Sequence, residues 1–312
     1  MKIYLNSVKE DWVIDRLKSE WSNLNKDITT RFIFNADIIW LIAPWTWKKV
    51  KKLKNKTIVC SIYHIDEIKF DNKDLIEFKE RDEYINYYHV ISKKTYSQLK
   101  KITNKPIFVQ PFWVNKDIFF NINDSKNLRA KYNFKIDDFL IGSFQRDTEG
   151  SDLKSPKLSK GPDRLIKIFS FHYQNNKNTK ILLTGKRRNY LIRQLENEGI
   201  PFYYFEMVDF ETLNDFYNCL DLYIVSSRYE GGPQAILESA VTKTPIISTD
   251  VGVASEILSK ESIYSMDNFQ NSTPNVEYAY KNAKQFLTPE GIKPYTEYFK
   301  KIYENCSEVK SS

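Results

Sequence analysis

Ser227-Arg228-Tyr229-Glu230-Gly231-Gly232-Pro233-Gln234-Ala235-Ile236-Leu237-Glu238 sets two carboxylates eight residues apart across what reads as a strand-to-helix turn. Just before it, Leu222-Tyr223-Ile224-Val225 is a short apolar run of the kind that forms a buried strand. Gly231 and Gly232 supply a permissive turn, and Pro233 falls at the first helical position, where a missing N–H costs nothing. The predicted helix runs to about Val241 and ends before Pro245. Glu230 then stands at the carboxyl end of a strand and Glu238 a turn and a half into a helix. Unpaired amides at such a helix start, with the positive end of its dipole, suit a diphosphate. The same turn also fits an ordinary βα connection with a capping glutamate, so its surroundings must decide.

Outward from this turn, the second half of the chain alternates between the two periods. Strands are predicted at 139–144, 180–184, 201–205, 222–226, 245–249 and 262–265, with helices near 161–174, 188–198, 210–219 and 233–242. That order predicts a parallel, doubly wound sheet with ligands at the carboxyl ends of its strands. The first half repeats the scheme on a smaller scale, with strands at 2–6, 37–42, 57–63, 87–91 and 107–110. A last helix is predicted at about 291–305, and residues 149–160 read as an irregular inserted loop.

The text around the two glutamates resembles the paired-glutamate motif of the retaining, nucleotide-sugar-dependent glycosyltransferases of family 4. Leu237-Glu238-Ser239-Ala240 is similar to that family's Leu-Glu-Ala-Met, and Thr244-Pro245-Ile246-Ile247-Ser248-Thr249-Asp250-Val251-Gly252 to its next strand and loop. Ile141-Gly142-Ser143-Phe144-Gln145-Arg146 and Lys160-Gly161-Pro162-Asp163 resemble the strand and Lys-Gly turn that open its nucleotide-binding half. The resemblance covers about 139–260 and is weak before residue 85. It implies the GT-B fold: two Rossmann-like, doubly wound parallel-sheet domains facing a cleft, here with a small N-terminal domain. The domains expected are 1–120 on the acceptor side and 121–288 for the nucleotide sugar, with 289–312 forming a helix that packs back on the first.

Glycine and charge divide along the same line. All nine glycines lie at or beyond Gly142, so a phosphate site built on backbone amides belongs to the second half. Residues 1–120 hold 22 Lys and Arg against 15 Asp and Glu; from totals of 47 and 40, the remainder holds 25 of each, so the excess of +7 is N-terminal. At 312 residues with 41% hydrophobic content, the chain can bury two cores. No apolar run reaches the roughly 18–20 residues of a membrane span. Three dispersed cysteines, Cys60, Cys219 and Cys306, fit neither a disulfide framework nor a zinc site, and a cytoplasmic location is expected.

Departure of a nucleoside diphosphate from an anomeric carbon leaves negative charge that something cationic must meet. No aspartate has another two residues away, so the sequence lacks an Asp-x-Asp metal pair, and neither metal nor cofactor is expected. The resemblance gives the cation role to Arg146 and Lys160, although thirteen residues separate them here and Ser143 stands where an Arg is common. It gives Glu238 the nucleotide ribose and Glu230 the donor-sugar hydroxyls. The amides of Gly231, Gly232 and Gln234 are candidate donors to phosphate or sugar; Pro233 has none. His64, after a strand, matches the place of a histidine near the donor sugar, and equally fits a structural histidine. The loop Asn6-Ser7-Val8 lacks the glycine common in the family.

The function expected is retaining transfer of a sugar from a nucleotide donor to a glycan or lipid-linked acceptor. Another GT-B enzyme, a phosphorylase or epimerase, is the alternative, and a polyanion-binding protein the third reading. Nucleic acid is not an expected partner, because no recognition motif accompanies the basic half. Residues 45–56 carry six lysines in nine positions after Trp45 and Trp47. They read either as a solvated face or as a peripheral membrane contact.

Overall fold

The computed structural model describes residues 1–6, 13–51, 53, 56–67 and 69–311, with side chains through residue 306. Ser7, Val8, Lys52, Lys54 and Asn55, which enter the sequence expectations, lie outside the described residues. The chain forms two units, Met1–Trp113 with Thr288–Ser312, and Val114–Leu287, so residues 114–120 belong with the second.

The first unit is a five-stranded parallel sheet of β1 (Ile3–Leu5), β2 (Ile38–Leu41), β3 (Thr57–Ile62), β4 (Tyr87–Val90) and β5 (Ile107–Val109), in that spatial order. Its helices are α1 (Val13–Leu24), α2 (Asn72–Asp82) and α3 (Lys93–Leu99). Alternation along the strands builds two cores. Ile38, Trp40 and Val59 face Leu17 and Trp21 of α1, whereas Ile39, Leu41, Ile58 and Cys60 face Trp47, Phe78 and Leu99. A buried polar chain crosses the first core. The Trp40 indole N–H donates to Ser61 Oγ (2.9 Å), which lies 2.9 Å from His89 Nδ1, and His89 Nε2 lies 2.8 Å from the Gln110 carbonyl. A carbonyl only accepts, so Nε2 carries the proton and Nδ1 accepts from Ser61. Burial pushes the imidazole down to about 4. His89 is a satisfied structural histidine.

The second unit opens with α4 (Ser125–Lys131), β6 (Phe139–Ser143) and a short antiparallel hairpin, β7 (Thr148–Glu149) with β8 (Ser155–Pro156). Then follow α5 (Pro162–Asn175), β9 (Thr179–Thr184), α6 (Asn189–Glu198), β10 (Phe202–Phe205), α7 (Phe210–Cys219), β11 (Leu222–Val225), α8 (Gln234–Val241) and β12 (Ile246–Thr249). The unit closes with α9 (Ala254–Ile257), β13 (Ile263–Tyr264) and α10 (Val276–Ala283). Six parallel strands run in the order β10-β9-β6-β11-β12-β13. Helices α5 and α6 cover one face, through Leu165, Phe169, Leu191 and Leu195, and α7, α8 and α10 the other, through Phe216, Ile236, Leu237 and Ala279. The order reverses between β6 and β11. In an open parallel sheet, that reversal leaves a crevice at the strands' carboxyl ends.

The last helix, α11 (Lys293–Ser311), belongs to the first unit. Its Tyr295 is fully buried; the hydroxyl donates to the carbonyl of Gln110 (2.9 Å) or of Pro111 (3.1 Å). Phe299 meets Trp21 edge to face at 5.6 Å. Burial of such aromatic side chains contributes about 2–3 kcal/mol each, which is what holds the terminal helix down.

Residues 149–160 are more ordered than an irregular insertion: hairpin β7–β8 leads into a 3-10 turn over Leu158–Lys160. The polar sequence hid it, because two-residue strands carry no periodicity. The hairpin is fastened from outside, by Arg193 to the Lys154 carbonyl (3.0 Å) and by the Lys157 amide to the Asp147 carbonyl (2.7 Å).

Candidate functional site

Two loops at the reversal, one after β6 and one after β11, are stitched to each other by the backbone. Gly161 has φ +63°, and a Cβ there would lie 2.0 Å from the Ser226 carbonyl oxygen. Only glycine lets the turn close down on the end of β11. The amides of Arg228 and Tyr229 donate to the Ser159 carbonyl at 2.8 and 3.3 Å. The Arg228 guanidinium grips both oxygens of Asp163 at 2.7 and 2.6 Å, holding that carboxyl below its usual range.

The stitching brings Lys160 and Glu230, 70 positions apart, into an ion pair. The Ser227 hydroxyl stands 3.1 Å from Glu230 Oε1 and 3.1 Å from Gln145 Oε1, with one proton for the two. The Gln145 amide in turn donates to the Lys160 carbonyl (3.0 Å). Arg146, on the same loop, donates from Nε to the Thr148 carbonyl (2.9 Å). Behind that loop, Arg188 and Asp147 form a fully buried ion pair at 2.7 Å. Asp147 Oδ1 and Thr148 Oγ1 accept the amides of Leu191 (3.4 Å) and Tyr190 (2.8 Å) at the start of α6. The backbone that presents Arg146 is thus anchored in the unit's interior.

The glycine turn departs from expectation in two ways. Pro233 is the residue capping α8, with φ −58° and ψ 118°, and not its first helical residue. Gly231 and Gly232 are not among the positive-φ glycines; Gly252 is (φ +53°), and a Cβ on it would lie 2.4 Å from the Gly231 carbonyl oxygen. The close approach of the two loops is what requires glycine at position 252, and the Gly231-Gly232 turn itself takes no left-handed backbone. Among the described residues, the amides of Gly231, Gly232 and Gln234 have no hydrogen-bond acceptor.

Glu238 is 5% exposed, which rules out a solvated helix-surface charge. The Tyr217 hydroxyl donates to its Oε2 at 3.0 Å. Burial, then the Glu238 charge, pushes the Tyr217 phenol far up, so it remains a donor. Tyr217 carried no motif; only the packing of α7 against α8 reveals it. His64 lies in the first unit, exposed just past the end of β3.

Residues 155–293 match the family model described as glycosyl transferases group 1. The chain resembles the group 1 glycosyltransferases. None of the curated proteins matches it. Among solved structures, Alr3699/HepE from Anabaena, in complex with UDP and glucose, aligns with a TM-score of 0.77 at 12% identity, over 96% of this chain and 100% of that one. Sucrose-phosphate synthase from Thermosynechococcus elongatus aligns at 0.72 and 14%, over 96% and 81%. A glycosyltransferase from Rickettsia africae aligns at 0.65 and 17%, over 96% and 84%. At such identities the likeness is one of fold, and the fold of this glycosyltransferase-like chain is GT-B.

The lysine-rich segment reads differently once folded. Trp47 is 2% exposed, and only Trp45 reaches the surface. Lys48 pairs with Glu77 (3.4 Å), Lys51 with Glu80, and Lys56 gives its ammonium to the carbonyls of Phe34 and Ala36 (2.8 and 2.7 Å). No helix among the described residues is long and apolar enough to cross a membrane.

Proposed function

We propose that the protein is a retaining glycosyltransferase of the family 4 type, moving a sugar from a nucleotide-activated donor to a glycan or lipid-linked acceptor without a resident metal. The observation that carries this reading is the Lys160–Glu230 pair at the sheet reversal, inside the matched residues 155–293. In this reading Arg146, Lys160 and the amides of Gly231, Gly232 and Gln234 take the diphosphate, Glu238 takes the ribose hydroxyls, and Glu230 takes hydroxyls of the donor sugar. Donor binding exchanges partners: Lys160 passes from Glu230 to phosphate, and the released carboxylate turns to the sugar.

In the transfer, the bond from the anomeric carbon to the phosphate oxygen breaks and its electron pair leaves with the diphosphate. The acceptor oxygen bonds to the same face of that carbon, and its proton passes to the leaving phosphate oxygen. The cations act most strongly as charge builds on that oxygen. Side-chain cations together with a sequence free of Asp-x-Asp support metal-independent transfer. The lysine segment is largely answered by local partners, which gives a membrane contact little support.

The reading is tested by thermal shift with a panel of nucleoside diphosphates, beginning with UDP, which the Anabaena structure holds. Stabilisation by one base over the others is expected. Stabilisation by phosphate alone favours the phosphorylase alternative, and by oligonucleotide alone a polyanion-binding protein. With the preferred donor, product of inverted configuration by NMR overturns the mechanism. Activity lost to chelator and restored by manganese overturns its metal independence.

A further inference from the structure

Lys157 is the one member of the Arg146–Lys157–Lys160 group that the sequence expectations passed over. It follows hairpin β7–β8 directly, and both of its backbone groups are fixed. Its amide donates to the Asp147 carbonyl (2.7 Å), next to Arg146, and its carbonyl accepts the Lys160 amide (2.8 Å). The residue is half-buried, and its ammonium has no ion pair among the described residues. By contrast, Lys160 has Glu230, and Arg146 rests on the Thr148 carbonyl. Burial lowers the Lys157 ammonium's pKa, the positive charges of Arg146 and Lys160 lower it further, and Glu149 and Glu230 oppose them.

A half-buried cation crowded by two others, whose effect Glu149 and Glu230 only partly offset, costs stability unless a further anion joins the group. The fold nevertheless invests a hairpin, three anchoring hydrogen bonds and a buried Arg188–Asp147 pair in holding that backbone in place. A site that raises the energy of the empty protein in this way is one whose ligand supplies the missing charge.

We propose that Lys157, presented by the β7–β8 hairpin, is a third diphosphate-binding cation acting alongside Arg146 and Lys160. This rests on the nucleotide-sugar reading above and adds a ligand-contacting residue to it. The long interval between Arg146 and Lys160 then has a use: it inserts a further lysine where charge accumulates on the leaving group.

The experiment is calorimetric titration of the full chain with ADP, GDP, CDP, UDP and dTDP, and with the nucleoside of whichever binds best. For that nucleotide, Lys157→Met weakens the diphosphate about tenfold or more, the loss expected for a hydrogen bond to a charged group. It leaves the nucleoside unchanged and makes the dependence on salt shallower. Lys157→Arg retains affinity, and Lys154→Met, on the same hairpin, matches wild type. Without ligand, Lys157→Met melts no lower than wild type, whereas a purely structural lysine would leave the variant less stable. Should Met disturb the turn, Lys157→Gln serves in its place. Wild-type affinity in Lys157→Met, or equal losses in Met and Arg variants with an unchanged salt slope, overturns this inference and leaves nucleotide binding standing. Failure of wild type to bind any of the five overturns the functional reading itself.

Discussion

Residues 48–56 and residues 157–160 are both lysine-bearing segments, and they end in opposite states. In the first, six lysines crowd one stretch of sequence, yet those described, apart from Lys49, have a carboxylate or carbonyl at hand: Glu77, Glu80, Phe34 and Ala36. In the second, two lysines three positions apart share their surroundings with Arg146, and among the described residues Glu230 is the one carboxylate that forms an ion pair with them. Density of charge along the chain therefore says little about the field that results. Convergence from separate loops onto one point matters more, because each cation there lies within reach of its neighbours and partly out of water.

That contrast is most directly broken by comparing one variant from each segment. Lys160→Ala is expected to lower kcat/KM on the order of a hundredfold or more, as loss of a cation at the leaving group does. If transfer survives Lys160→Ala and fails in Lys48→Gln/Lys51→Gln, the site has been placed in the wrong segment.

Next in size is an acid effect in the first unit, where the buried titratable group is structural rather than functional. The folded-state value of His89, about 4, is depressed below the usual 6.5, so the neutral ring is the one the core accepts. Its contribution is fully present above about pH 6.5 and fades as pH falls toward 4, amounting to about 3 kcal/mol when complete. Its neighbours Ser61, Gln110, Tyr295, Trp40 and Phe112 are uncharged, so no ion pair masks the slope. Urea unfolding at pH 7 and at pH 4.5 should show a fall that is smaller in His89→Gln.

Within the site, Glu238→Ala should weaken binding of the preferred nucleoside diphosphate by about a hundredfold, and Tyr217→Phe by about fivefold, since the phenol only orients the carboxylate. Equal binding by wild type and a folded Glu238→Ala, measured by titration, removes the ribose assignment. Glu230→Ala should instead act mainly on kcat.

The smallest effect belongs to the lysine run. Lys48→Gln with Lys51→Gln should move the melting temperature by no more than about 2 °C, because exposed ion pairs contribute little. Salt-sensitive sedimentation of the wild type with anionic vesicles, lost in this variant, would show that the segment acts on a surface after all.

The sequence alone determined where the strands of the two parallel sheets lie and which turn carries the glutamates. Runs such as Leu222-Tyr223-Ile224-Val225 are apolar because both faces of a central parallel strand are covered, and that pattern needs no knowledge of neighbours. It determined less where helices are short: α4, α9 and α10 escaped notice, with few buried positions each to set a period. Three things waited for the tertiary structure. One is the placing of β6 beside β11, which puts the loops of Arg146 and Glu230 at a single reversal. Another is the donation from Tyr217 to Glu238 between two packed helices. The third is the arrival of Lys157, directly after a hairpin whose residues show no periodicity, in the surroundings of Arg146 and Lys160. Each depends on contacts between residues distant in sequence, and local patterns of hydrophobicity, which report only on a residue's own element, hold no information about them.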